Sequence, residues 1–285
     1  MKEIVVLSGK GGTGKTSIVG SFAALAQNKV MADCDVDAAD LYLILKPVEE
    51  QNNEFWSGQI AVIDRDNCTQ CNLCQDNCRY EAIVEFEVDP ISCEGCGFCF
   101  HLCPEGAIAM HDSMAGHWFV SDTPYGPLVH AKLGIAQENS GKLVAVVRQN
   151  AKKVAKHQGL DYIISDGPPG IGCPVISSLS GANLAVLVTE PTLSGIHDLD
   201  RVIGVCSHFG VPALVCINKC DMNEENSRYI EDYCRKQGID VVSKIPFDNV
   251  FTEALVRGLP VVEHSQGPIT YELEKLWHCV CERLS

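Results

Sequence analysis

Two groups of residues in this sequence have the types and spacings that do chemistry. Gly9-Lys10-Gly11-Gly12-Thr13-Gly14-Lys15-Thr16 satisfies G-x-x-x-x-G-K-[ST] in full. Glycines there let backbone N–H groups wrap a phosphate chain. Lys15 is placed to meet the β- and γ-phosphates, the Thr16 hydroxyl to ligate Mg²⁺, and Ser17 completes the phosphate-contacting run. The second group is cysteine. Cys68, Cys71, Cys74 and Cys78 form C-x₂-C-x₂-C-x₃-C, and Cys93, Cys96, Cys99 and Cys103 repeat it 25 residues later, closing on Pro104. Thiolates so spaced are ligands for soft metals. Two full runs of four fit a pair of [4Fe-4S] clusters better than zinc, whose structural sites usually pair two C-x₂-C units. In this pattern the fourth cysteine of each run serves the other cluster. One set is then Cys68, Cys71, Cys74 and Cys103; the other is Cys93, Cys96, Cys99 and Cys78. Arg79 stands after Cys78 where the second run has proline, which leaves the thiol free to ligate.

The elements around these residues suit the chemistry. Ile4 to Ser8 reads as a β-branched strand, the glycines after it as a loop, and Lys15 to Gln27 as a helix, the context in which a phosphate loop works. Strands at Val30 to Cys34, Tyr162 to Ser165, Leu184 to Thr189 and Ala213 to Ile217 alternate with helical patterns. The expected fold class is α/β: a mostly parallel sheet of the P-loop NTPase kind, covered by helices on both faces. Between Ile60 and Asp112 the character changes to short segments and dense cysteines, with ten Asp or Glu against two Arg. This stretch reads as an inserted α+β module of bacterial ferredoxin type, giving expected domains 1–58, 59–112 and 113–285.

The whole chain has 285 residues, 46% of them hydrophobic, so a sizeable core is available. A net charge of −15 argues against non-specific nucleic-acid binding. With no apolar run of membrane-spanning length and no signal-peptide pattern, the expected location is cytoplasmic. The C-terminal stripe Leu273, Leu276, Trp277, Val280 and Leu284 has a mixed polar face and reads as core packing, so no stable membrane association is expected. Sixteen cysteines in a reducing compartment are expected to remain thiols rather than form disulfides. Outside the two runs, Cys206, Cys216 and Cys234 read as small buried apolar residues.

Lys10, a second lysine within the phosphate loop, makes the run resemble the deviant phosphate loop of the MinD, ParA, Mrp and nitrogenase iron protein superfamily. That resemblance implies an ATPase in which Lys10 reaches across an ATP-dependent dimer, formed with itself or with a paralogous ATPase. Asp33-Cys34-Asp35 is similar to the first switch, with Asp35 orienting the attacking water. Asp166-Gly167-Pro168-Pro169-Gly170 is similar to the second, with Asp166 in the Mg²⁺ shell. Asn218-Lys219-Cys220-Asp221 resembles a base-recognition motif, giving Asn218 and Asp221 a purine, expected to be adenine. Lys10, Lys15, Asp35 and Asp166 are the implied catalytic group. The resemblance extends to superfamily ATPases with an inserted ferredoxin domain, a group common in anaerobes.

Cys173 follows Asp166 by seven residues, the offset at which the iron protein places a cysteine of its dimer-bridging cluster. The stretch comparable to that protein's second cysteine reads Glu138-Asn139-Ser140-Gly141-Lys142 and lacks one. Cys173 is therefore a candidate metal ligand at a dimer interface, weighed against a packing role. The implied cofactors are ATP, Mg²⁺ and two [4Fe-4S] clusters. The favoured function couples nucleotide-dependent dimer closure to metallocluster assembly or metalloprotein maturation, with a metalloprotein or redox acceptor as partner. Alternatives are an ATP-gated electron donor like the iron protein, and a MinD- or ParA-like positioning ATPase.

Overall fold

A computed structural model of the chain describes residues 1–134 and 139–285. It contains β1 (Lys2–Ser8), α1 (Lys15–Leu25), β2 (Lys29–Asp33), α2 (Leu41–Leu45), β3 (Val48–Ile63), α3 (Leu73–Asp76), β4 (Ile83–Val84), β5 (Glu87–Val88), α4 (Phe98–Leu102), β6 (Ile108–Asp122) and β7 (Leu128–Leu133). There follow α5 (Ser140–Gln158), β8 (Tyr162–Pro169), α6 (Cys173–Leu179), β9 (Leu184–Thr189), α7 (Leu193–His208), β10 (Ala213–Asn218), α8 (Glu224–Lys236), β11 (Asp240–Ile245), α9 (Val250–Arg257), α10 (Val261–His264) and α11 (Pro268–Leu284). The chain divides into two compact units. One comprises Met1–Asn52, Trp118–Lys132 and Ser140–Ser285; the other comprises Asn53–His117 with Leu133–Asn139.

The sheet runs β11-β10-β9-β1-β8-β2-β7-β6-β3. Every pairing from β11 to β7 is parallel, with registers such as Ile4↔Ile164 and Ile4↔Leu184 placing β1 between β8 and β9. The α/β expectation with a mostly parallel, helix-covered sheet holds. Parallel strands buried on both faces are apolar throughout, and β1 splits its residues accordingly. Ile4 and Val6 pack with α1, α2 and α11, whereas Val5 and Leu7 pack with α6, α7 and α8. The C-terminal stripe lies in the first of these cores, Trp277 meeting Phe22 at a ring-centroid distance of 5.2 Å.

Two features differ from the sequence expectation. Strand β8 continues through Asp166 to Pro169, where a strand ending at Ser165 was expected; Val6↔Asp166 pairing with β1 carries it on despite the prolines. Segments 48–63 and 108–122 form long strands that polar composition concealed.

The second unit is built on a repeat. Short α3 and α4 pack together, and β4 pairs with β5 antiparallel through Ile83↔Val88. Gln70 and Asn72 adopt left-handed φ values of 57° and 64°; Gly95 and Gly97, 25 residues on, adopt 62° and 72°. Backbone bonds repeat with exchange between halves. Asp64 N–H donates to Ala107 O, and Asp89 N–H to Ala82 O, each at 2.8 Å. Gly95 is required on two counts, since a Cβ there would also lie 2.1 Å from Gln59 O.

Candidate functional sites

In the first unit, parallel β1, β2, β8, β9 and β10 bring Ser8, Asp33, Asp166, Thr189 and Asn218 to one carboxyl edge, where open α/β sheets hold ligands. The phosphate loop leaves β1 here and enters α1 at Lys15, so the positive helix end faces the loop. Gly14 has φ +85°, and a Cβ on it would fall 2.4 Å from Asn218 Nδ2. That closeness is used: Asn218 Nδ2 donates to Thr13 O at 2.7 Å. A cavity of about 210 Å³ opens beside the loop, lined by Gly12, Gly14, Ser17, Asn218, Phe247 and Thr252 among others.

Lys15 is buried, with Nζ 2.5 Å from Asp166 Oδ1 and 3.7 Å from Asp35 Oδ2. Burial alone would lower its pKa, but the Asp166 carboxylate, helped by Asp35 and Asp33, raises it above the ordinary lysine value. Burial pushes Asp35 up to about 6 despite Lys15, the neighbouring Asp166 charge adding to the rise. The structure thus gathers Lys15, Asp35 and Asp166 from three strand ends into one charged cluster. Asp33, to which no role was given from sequence, is buried, and its carboxylate accepts from the N–H groups of Asp35 (3.1 Å) and Leu41 (3.2 Å). It shapes the loop that carries Asp35.

Lys10 bonds Glu190 at 3.0 Å, an ion pair between residues 180 apart that no local pattern announces. Lys219 shares that carboxylate. Asp221 is not part of the cavity wall; its Oδ1 accepts from Phe247 N–H at 2.6 Å and so holds the turn that forms one side. The buried Thr13 Oγ1 has no partner among the described residues. An orphaned hydroxyl, a lysine-centred cluster and glycine N–H groups at a helix start fit a phosphate chain and its Mg²⁺.

Cys173 begins α6 just past β8 and is exposed. A side chain at Gly141 would lie 3.2 Å from its Cβ, so the start of α5 packs on it; Glu138 lies outside the described residues.

In the second unit, one cavity is walled by Cys68, Cys71, Cys74 and Cys103, the first set expected from the spacing. A larger one, about 250 Å³, is walled by Cys78, Cys93, Cys96 and Cys99, the second set, with Cys74 between the two. All eight are free thiols. Among the described residues no three His, Cys, Asp or Glu side chains converge as a ready-made single-ion site. In donor chemistry, the cysteine sulfurs lining each of two cavities fit a polynuclear iron-sulfur group. Ala107 N–H donates to Cys103 Sγ at 3.3 Å, the kind of bond that supports a ligating thiolate. Among the described residues no helix is long and apolar enough to cross a membrane.

Comparison with known proteins places these sites in context. The model of the CobQ/CobB/MinD/ParA nucleotide binding domain matches residues 4–261. An uncharacterised protein of Methanocaldococcus jannaschii is 35% identical over 249 residues, covering 86% of this chain and 84% of that one. An iron-sulfur cluster carrier protein of Pyrococcus horikoshii is 28% identical over 142 residues, 45% of this chain and 48% of its own. Among solved structures, the septum site-determining protein MinD of Pyrococcus horikoshii, complexed with Mg-ADP, superposes with a TM-score of 0.60. It is 19% identical, with 98% of this chain and 95% of that chain covered, a likeness of fold.

Proposed function

Because the chain belongs to the CobQ/CobB/MinD/ParA nucleotide-binding family of P-loop ATPases, we propose that it hydrolyses ATP and carries two resident [4Fe-4S] clusters, coupling nucleotide turnover to metallocluster assembly or metalloprotein maturation. The observation that carries the cluster assignment is the lining of the two cavities, each walled by the exchanged set of four cysteines. Residues 59–112 are the ferredoxin module in this reading, and 1–58 with 113–285 the ATPase. When bound, such clusters accept and donate single electrons.

The chain's own residues divide the nucleotide work. Backbone N–H groups of Gly11 to Thr16 wrap the phosphates, and Lys15 moves its charge from Asp166 onto them. Asp166, relieved of Lys15, and the Thr16 hydroxyl would hold Mg²⁺, which would supply charge stabilisation at the phosphates, while Asp35 orients the attacking water. Asn218 reads the purine from the cavity wall, and Asp221 braces it through Phe247. Lys10 serves a nucleotide-dependent dimer. Exposed Cys173, directly after the Asp166 strand, gives metal cargo a place that nucleotide state controls. Partial similarity to a cluster carrier supports this reading.

A second reading, an ATP-gated electron donor, is favoured by the cysteine count: four thiolates per cluster leave no iron open for transfer. Anaerobic capture with a slowly hydrolysed ATP analogue separates the two. A client that gains metal supports maturation, a redox enzyme that gains only electrons supports donation, and lipid or DNA alone returns the positioning role. A colourless, iron-free anaerobic preparation overturns both cluster readings.

A further inference from the structure

The turn between β9 and α7 carries a carboxylate that phosphate binding does not call for. Glu190 is 8% exposed in its side chain, with Lys10 Nζ 3.0 Å from Oε2 and Lys219 Nζ on Oε1. Lys219, itself in the left-handed region at φ 54°, also donates to Gly12 O at 3.1 Å. One buried anion therefore ties the phosphate loop to the end of β10 through two cations.

The backbone around Glu190 is fixed. Its carbonyl accepts from Thr192 N–H at 2.8 Å, Thr192 Oγ1 accepts from Gly195 N–H to cap α7, and Pro191 O accepts from Asn226 Nδ2 at 3.1 Å. The carboxylate has little freedom to follow a departing lysine. Burial works against its charge, yet the bonds to Lys219 and Lys10 more than offset this and hold its pKa below the ordinary value, so it is ionised at neutral pH.

A loop of glycine N–H groups at a helix start is arranged for an anionic guest, and a fixed anion beside it repels that guest. Within the chain the anion neutralises two lysines that would otherwise face each other and the positive helix end. A triphosphate offers those lysines more negative charge than one carboxylate does.

We propose that Glu190 is a positioning residue that holds Lys10 and Lys219 in the nucleotide-free chain and releases Lys10 to the phosphates when ATP binds. The proposal rests on the phosphate loop being the nucleotide site, as read above. Lys10 is then restrained within its own chain until a triphosphate competes for it, which keeps a lysine assigned to the dimer out of play in the empty state.

Titrating the anaerobically purified full chain with fluorescent ATP and ADP analogues and Mg²⁺ tests this. Glu190→Gln is expected to tighten ATP roughly tenfold, the scale of one charge-assisted contact re-made, and ADP by less. Adding Lys10→Ala should abolish that gain. No tightening in Glu190→Gln overturns the proposal, and so does a gain that survives Lys10→Ala, because Glu190 then acts through its charge alone. Should Glu190→Gln fail to fold, Glu190→Asp decides: a carboxylate one methylene shorter loosens the Lys10 contact and is expected to tighten ATP about threefold, and unchanged or weaker ATP binding overturns the restraint. A parent chain that binds no nucleotide fails at the earlier step, the nucleotide reading, and takes this proposal with it.

Discussion

The phosphate edge of the first unit and the cysteine repeat of the second are both candidate ligand sites, but they are built from opposite materials. At the phosphate edge every strand end is braced by a two-faced core, and Lys10, Lys15 and Lys219 already have carboxylate partners. The cysteine unit buries little. Its buried apolar residues are few, with Phe55, Ile83 and Ile108 the large ones, whereas the largest fully buried side chains among the described residues, such as Phe22, Met31 and Leu143, all belong to the first unit. The first site is held by the fold, so its ligand can come and go. On the proposed cluster reading the second site would hold its own unit together, as metal does in small domains short of core.

Iron removal is the largest expected break in that comparison. Anaerobic chelation should abolish amide-exchange protection across residues 64–107 while the strands around β1 keep theirs, read by hydrogen exchange with mass spectrometry. Equal loss in both units would end the contrast. Next in size is Lys15→Ala, expected to lower ATP turnover by about two to three orders of magnitude without changing iron content. Phosphate release and iron assay on one preparation check both halves of that statement.

Cys78→Ala should remove more than half of the iron-linked absorbance, because each half of the repeat helps to order the other. Nucleotide affinity should stay within about twofold, because the first unit does not depend on that ligand. Turnover should also fall with acid. Burial raises Asp35, so the carboxylate proposed to orient water is lost as pH falls through about 6. The rate then drops up to tenfold per unit below that value, and Asp35→Asn should give a low, flat profile. Smallest is Trp277→Ala, which removes a ring packed on Phe22 and Tyr162 and costs about 3 kcal/mol of stability in the first unit, seen in denaturant melts that leave the cluster signal unchanged at low denaturant.

Much of this was legible in residue order because the informative signals are local. GKGGTGKT lies within one turn and one helix start, and the cysteine runs repeat at a fixed interval, so spacing carried both. Apolar β-branched runs marked β1, β9 and β10 because parallel strands are buried on both sides. What stayed hidden depends on distance or on polarity. Glu190 meets Lys10 across 180 residues, and no spacing within Thr-Glu-Pro-Thr points to a lysine partner. Asp33 looked like a companion of Asp35 until its carboxylate was seen capping two N–H groups. Strand β3 is largely exposed and polar along Gln51, Asn52 and Asn53, a composition that reads as loop.

The crossed backbone bonds from Asp64 to Ala107 and from Asp89 to Ala82 tie each half of the cysteine repeat to the segment that follows the other's fourth cysteine, the ligand exchanged between halves on the proposed cluster reading. Neither half is a self-sufficient piece, so filling one cavity preorders the other. Under scarce iron the population should therefore divide into molecules that are fully charged and molecules that are bare, with the half-filled form rare at every intermediate dose.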